Sequence, residues 1–155
     1  MNEIGIIGAS GFIGRNLCEH FHRQKVDFIA IHRKKPEYHL PYAIEICPSF
    51  SDLPKFKKII FLAEPSRIPN KNIEDINYIN TAQRNLSNAI NSSNAHFIYA
   101  SSSAVYGDKH LIKHTTSSKL FRSSAYTEAK IECEKMVLDN KGVVLRLANI
   151  YGFGM

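Results

Sequence analysis

The chain has 155 residues, 44% of them hydrophobic and 22% charged, which suits a single globular domain with a buried core. Its net charge of +6 invites a nucleic-acid reading, but the basic residues are scattered and form no stripe along a helix, so no nucleic-acid partner is expected. No apolar run approaches the ~20 residues of a membrane helix, and glycines break the start MNEIGIIGASG too early for a signal peptide. The three cysteines (Cys18, Cys47 and Cys133) form no CxxC pair, so the expectation is reduced thiols in a cytoplasmic protein with no membrane partner.

Glu3 to Ile7 is a short apolar run ended by glycine, the pattern of a buried strand. Phe12, Ile13, Leu17 and Phe21 then recur at helical spacing and predict a helix over Phe12 to Arg23. Phe28 to Ile31 reads as a second strand and Tyr42 to Ile46 as a third. Only Arg33 to Pro41 separate these two, which is short of the ~12 residues that a parallel crossover with a full helix needs. A fourth strand is expected at Ile59 to Ala63. Ile76, Ile79, Leu86 and Ile90 then line one face of a helix that stops at Asn91-Ser92-Ser93-Asn94. His96 to Ala100 reads as a strand, Ser101-Ser102-Ser103 as a turn, and the polar stretch from Asp108 to Ser124 mostly as loop. Ala125, Ala129, Cys133, Met136 and Val137 form the buried stripe of a further helix, with Gly142 in the position favoured at a helix C-terminus. Val143 to Leu147 is the last strand, and Tyr151 to Gly154 turns away from it.

Strands alternating with helices imply an α/β fold, a doubly wound parallel sheet between helical layers. Ligands of such sheets bind beyond the carboxyl ends of the strands. The unusual residues fall at those ends: Gly8 to Gly14, Arg33, Glu64, Ser101 to Ser103, and Asn149 to Tyr151. They are expected to face one crevice.

Gly8-Ala9-Ser10-Gly11-Phe12-Ile13-Gly14 lies between the first strand and the first helix. Glycines there let the backbone turn tightly and approach a pyrophosphate held at the helix N-terminus. A dinucleotide-binding unit usually presents an acid to the adenosine ribose about 20 residues further on, whereas an arginine can meet a 2′-phosphate. Here the second strand ends Ile31-His32-Arg33-Lys34-Lys35 with no acid, which favours NADP over NAD. Tyr126 and Lys130 are four residues apart on the last helix and so share a face. A free phenol ionises near ~10, too high for neutral pH, and a neighbouring ammonium lowers that value. Ser102 lies at a strand end upstream and offers a hydroxyl to the same substrate oxygen. His110 and His114 have the spacing of a zinc helix but lack a third ligand, so no metal is expected.

In this order, Gly8 to Gly14, Ser101 to Gly107, Tyr126 with Lys130, and Arg146 to Gly152 resemble the extended short-chain dehydrogenases/reductases, the family of the nucleotide-sugar epimerases and dehydratases. Glu134 matches the acid that often follows the motif lysine by four. The resemblance implies a Rossmann-type sheet ordered 3-2-1-4-5-6, NAD or NADP, and a nucleotide-sugar substrate. It implies a catalytic set of Ser102, Tyr126 and Lys130, with Ser103 the next candidate for the serine. The cofactor would lie on Gly8, Ser10, Gly11, Phe12, Ile13 and Gly14 of the turn, on His32 and Arg33 of the second strand end, and on Leu62, Ala63 and Glu64 of the fourth. Tyr126 and Lys130 would complete that site, Lys130 holding the nicotinamide ribose. A homodimer through the helices around Ile76 to Ile90 and Ser124 to Leu138 would follow the family.

Three features depart from the pattern. Glu64 stands where a small residue usually follows the fourth strand, and Asn80 lies one position out of register with the family's helix asparagine. The chain also stops at Met155, after the sixth strand, where family members continue into a part that closes over the sugar nucleotide. Residues 1–155 are therefore expected to be the cofactor-binding domain without that C-terminal part. The expected activity is that of an NAD(P)-dependent epimerase/dehydratase-type oxidoreductase. The alternatives are a truncated, non-catalytic dinucleotide-binding module and an NADP-dependent keto-sugar reductase.

Overall fold

The computed structural model describes residues 2–65, 75–107 and 113–152. Its elements run β1 (Asn2–Ile7), α1 (Phe12–Arg23), β2 (Phe28–His32), β3 (Ile44–Ile46), β4 (Phe56–Phe61), α2 (Ile76–Ser92), β5 (His96–Ser102), a 3-10 turn (Ser103–Tyr106), α3 (Ala125–Asp139) and β6 (Val143–Leu147). The strands form one sheet in the order β3-β2-β1-β4-β5-β6. Every pairing in it is parallel. This is the Rossmann-type order expected from the sequence.

Alternation along the strands sorts the core into two layers. Ile6, Ala30 and Phe28 pack with Cys18 of α1 and with Ala9. Ile7, Ile31, Ile59, Phe61, Phe97 and Tyr99 face the opposite way, under Leu86 and Ala89 of α2 and Ala129, Cys133 and Val137 of α3. Two helices therefore cover one face and α1 covers part of the other. On that second face of β6, Val143 and Leu145 are exposed.

Several local expectations change. Strand β4 begins at Phe56, three residues early, because Lys57 and Lys58 sit on a strand whose buried positions are Phe56, Ile59 and Phe61. Lys57 pairs there with Glu3 of β1. Strand β3 is limited to Ile44–Ile46, and Tyr42 instead packs its ring 5.2 Å from that of Phe28. On α2 the buried stripe is Tyr78, Ile79, Ala82, Leu86 and Ala89, whereas Ile76 is exposed. On α1 the buried positions are Gly14 and Cys18, with Leu17 and Phe21 partly buried beside them.

Gly142 does not take the left-handed position after α3. Lys141 does, at φ 57°, and the N–H groups of Lys141 and Gly142 bond to the carbonyls of Leu138 and Val137, each at 2.9 Å. Gly142 is required for closeness instead: a Cβ there would lie 2.7 Å from the Phe97 carbonyl oxygen. The stretch between the 3-10 turn and α3 carries no helix or strand among its described residues, as expected of a loop.

Candidate active site

The turn after β1 is shaped by contacts that only glycine permits. Gly8 has φ +88°, and a Cβ on it would meet the Ala63 nitrogen and the Leu62 carbonyl carbon at 2.7 Å. A Cβ on Gly14 would come 2.2 Å from the Gly8 oxygen, so the first turn of α1 lies directly on the turn that precedes it. Gly11 is the N-cap residue, and no side chain caps α1. The first-turn N–H groups of a helix have no partner within the helix and favour an anion.

Beside this turn is a cavity of about 230 Å³ lined by Gly8, Ser10, Gly11, Arg33, Leu62, Ala63 and Glu64, with Phe50 and Ile31 behind. It adjoins a second cavity of about 710 Å³, to which Ser10, His32, Arg33, Lys34 and Lys35 contribute. Arg33, Lys34 and Lys35 are exposed, whereas His32 is buried and its Nε2 has no hydrogen-bond partner. Burial holds the His32 imidazole below its ordinary value and therefore neutral.

The turn, the second strand end and the fourth strand end thus meet as the sequence suggests. Two groups do not join them. The side chains of Phe12 and Ile13 line a separate groove of about 400 Å³ with Leu17, Ile150 and Tyr151. The segment after β6 therefore faces α1 rather than the glycine-lined cavity, which corrects the expectation of a single crevice. Phe12 and Ile13 can reach a ligand at the turn only through their backbone.

Helix α3 positions the Tyr–Lys pair. Ser124 and Thr127 form a reciprocal cap at its start, the Ser124 hydroxyl accepting from the Thr127 N–H at 3.2 Å and Thr127 Oγ1 from the Ser124 N–H at 3.0 Å. Tyr126 is half-buried and Lys130 is buried, with Nζ 5.6 Å from the Tyr126 ring centroid and 4.9 Å from that of Tyr99. Lys130 Nζ donates to the Ala100 carbonyl at 2.7 Å and to the Glu64 carboxylate. The other Glu64 oxygen accepts from the Tyr78 hydroxyl at 3.0 Å. Burial, reinforced by the Glu64 charge, holds the Tyr78 phenol far above its ordinary value, and burial does the same for Tyr99. The Cys133 thiol is pushed up to about 12, chiefly by burial. These three groups stay protonated around the ammonium.

Ser102 ends β5, and its hydroxyl accepts from the Ala104 N–H at 3.2 Å, which starts the 3-10 turn. Ser103, the next candidate, is half-buried in that turn. Ser101 is turned to the other side and bonds to Glu134. Glu134 in turn receives the guanidinium of Arg146, with Nη2 at 2.7 Å and Nε at 3.0 Å from its two oxygens. Arg146 also donates to the Tyr106 hydroxyl at 2.9 Å and to the Thr116 carbonyl at 3.2 Å. This buried pair ties the turn carrying Ser102 to β6 and α3. Tyr106 stacks on His114 at 4.7 Å, so His114 is placed by an aromatic contact. His110 lies outside the described residues, and Asn80 is exposed.

A family model for the NAD dependent epimerase/dehydratase family matches residues 4–154. The chain belongs to that family. A comparison with curated protein sequences finds no match. Among solved structures, a UDP-N-acetylglucosamine 4-epimerase from Bacillus cereus superposes with a TM-score of 0.76 at 19% identity, over 100% of this chain and 58% of its own. A UDP-glucose 4-epimerase from Thermus thermophilus, in complex with NAD, gives 0.79 at 16% identity over 97% and 56%. An NAD-dependent NDP-hexosamine 5,6-dehydratase of tunicamycin biosynthesis gives 0.69 at 19% identity over 98% and 56%. These likenesses establish the fold, and the chain spans little more than half the length of each protein.

Sequence reasoning missed Tyr78 and Phe50 as parts of the site, and it named Arg146 only as the start of a motif. Tyr78 shares a helical stripe with Ala82 and Leu86, a spacing the sequence does carry. Phe50 sits in a loop at φ 59° with its ring buried, and no sequence pattern signals it.

Proposed function

We propose that the chain is the cofactor-binding domain of an NAD(P)-dependent oxidoreductase of the epimerase/dehydratase type that acts on a nucleotide sugar. The observation that carries this reading is the pairing of Tyr126 with the buried, doubly anchored Lys130, at the end of the sheet where the glycine turn also opens. The turn suits a dinucleotide because Gly8 and Gly14 let it pack directly against the end of β4 and the first turn of α1, and because α1 begins uncapped. A solved structure of this fold, 20% identical to the chain, is a complex with UDP-glucose and NAD, which supports the substrate class.

In this reading Gly8, Ser10, Gly11 and the first-turn backbone of α1 hold the diphosphate, and Leu62, Ala63 and Glu64 border the chain of the cofactor beyond it. The bound dinucleotide supplies hydride transfer. Tyr126 takes the proton from a sugar hydroxyl at its phenol oxygen. The Ser102 hydroxyl donates to the same sugar oxygen as it gains carbonyl character, and Lys130 orients the ribose. Tyr126→Phe is expected to lower turnover of UDP-, GDP- or dTDP-sugars at least 100-fold while changing cofactor affinity by less than about threefold. Turnover at the wild-type rate would remove Tyr126 from its role. Cofactor binding without turnover of any of these sugars, in this chain and in a longer version alike, would leave a binding module.

NADP is the finer reading of the cofactor. Arg33, Lys34 and Lys35 line the larger cavity next to the turn, with Glu37 further along its wall, and no acidic side chain ends β2. A 2′-phosphate there would gain charge-assisted bonds from Arg33. Parallel titrations are expected to show NADPH bound about tenfold more tightly than NADH, with the difference lost in Arg33→Ala. Equal affinities in the wild-type chain would return the assignment to NAD.

A further inference from the structure

Lys130 is 4% exposed, so its ammonium depends on internal partners. It has a carbonyl, Ala100, and a carboxylate, Glu64. The carboxylate is held from two helices at once, by Lys130 of α3 and by the buried hydroxyl of Tyr78 on α2. Glu64 is also part of the wall of the glycine-lined cavity, where its side chain keeps 28% of its surface open. A ligand filling that cavity toward α3 therefore meets a negatively charged group already engaged with the lysine.

We propose that Glu64 is a specificity-determining residue that competes from within the chain for Lys130, so that a ligand's hydroxyls gain the ammonium only by displacing or sharing the carboxylate. The proposal rests on the reading of Lys130 as the group that holds the cofactor's ribose. Its physical basis is the difference between acceptors. A carboxylate makes a stronger, charge-assisted bond to an ammonium than a neutral hydroxyl does. The wild-type chain thus gives up part of an internal ion pair when a ribose arrives. With Glu64 neutral, the buried ammonium of the free protein is left with weaker partners, and the ligand's oxygens become its best ones. Glu64 therefore opposes the ribose end of a dinucleotide more than the adenosine end, which in this reading lies toward Ser10 and Arg33 of the same cavity.

Calorimetric titrations with ADP, ADP-ribose and NAD⁺ separate the two ends, because only the latter two carry the second ribose. Glu64→Gln keeps the side-chain shape and one acceptor oxygen for Lys130, with its amide N–H now donating to the Tyr78 hydroxyl, and Glu64→Ala opens the space. Glu64→Gln is expected to bind ADP-ribose and NAD⁺ about tenfold more tightly than the wild-type chain, and ADP by no more than about threefold, the part due to lost repulsion of the diphosphate. Where Glu64→Ala fails to fold, Glu64→Gln carries the comparison alone. The double variant Glu64→Gln/Lys130→Met removes both charges of this pair, and the gain for ADP-ribose should vanish in it. ADP-ribose bound no more tightly by Glu64→Gln, while ADP still binds, would overturn the competition and leave the dinucleotide reading in place. A gain that persists in the double variant would also overturn it. Absence of binding by all three ligands to every variant would remove the dinucleotide reading, and the proposal with it.

Discussion

Helices α1 and α3 both start at the carboxyl end of the sheet, and they are finished differently. At α3, Ser124 and Thr127 cap each other reciprocally, and Glu128 adds an acid to the first turn. At α1, glycine occupies the cap position, no side chain accepts from the first turn, and no acid lies there. Both helix starts carry the same orphan N–H groups and the same partial positive charge. Helix α3 caps one of its own, the Thr127 N–H, and the reciprocal cap fixes the direction in which Tyr126 and Lys130 leave the first turns. Helix α1 leaves its own to water or to a ligand, and Arg33, Lys34 and Lys35 border the adjoining cavity. One helix start is built to hold side chains still, the other to receive an anion.

The largest test of that contrast is Gly14→Ala. The added methyl would lie 2.2 Å from the Gly8 oxygen and 2.7 Å from the Ala9 Cα, both backbone atoms that cannot rotate away. Helix α1 must shift off the turn. A loss of about 3 kcal/mol in stability is expected, together with loss of dinucleotide binding, in denaturant melts and titrations. Unchanged stability would mean the turn and helix are not locked together. A paired exchange of caps is gentler. Gly11 has extended backbone angles that aspartate adopts readily, and its Cβ would need only a small shift of the Gly8 carbonyl at 3.3 Å. Gly11→Asp gives α1 its own cap and acid, so stability should change by no more than about 1 kcal/mol while ADP binding weakens about tenfold or more. Ser124→Ala should do the reverse, costing about 1 kcal/mol and leaving ADP affinity unchanged. If both variants weakened ADP equally, the distinction between the two helix starts would fail.

The glycine turn was legible because its residues answer to backbone geometry, which is local. So were the parallel sheet, through the alternation of strands with helices, its strand order, through the family resemblance, and the Tyr126–Lys130 pairing, through helical spacing. What the sequence hid was contact across the chain. Glu64 and Lys130 are 66 residues apart, and nothing in either segment names the other. The early start of β4 was masked by Lys57 and Lys58, whose exposed positions interrupt the apolar run. On α2, Ile76 is the more hydrophobic residue, yet Tyr78 is buried because its hydroxyl finds Glu64 and its ring lies in phase with Ala82 and Leu86. The segment after β6 reads as another strand end at the crevice, but Ile150 and Tyr151 face Phe12 and Ile13 instead.

The smallest expected effect lies between the open helix start and the basic strand end. His32 is buried, its Nε2 is unpartnered, and burial depresses its affinity for a proton below the ordinary 6.5. The unfolded chain then binds more protons than the folded one as pH falls through that value, so His32 contributes stability above it that is progressively lost on acidification. The melting temperature of the wild-type chain should therefore fall more between about pH 7.5 and about pH 5.5 than that of His32→Asn, which has no proton to gain. ADP or inorganic phosphate in the cavity that His32 shares with Arg33 and Lys34 would place an anion beside the imidazole and make protonation easier. The excess acid sensitivity of the wild-type chain over His32→Asn should shrink when that ligand is present. If it were the same with and without ligand, the anion would not be near β2, and the open start of α1 would have to be matched with a ligand lying elsewhere.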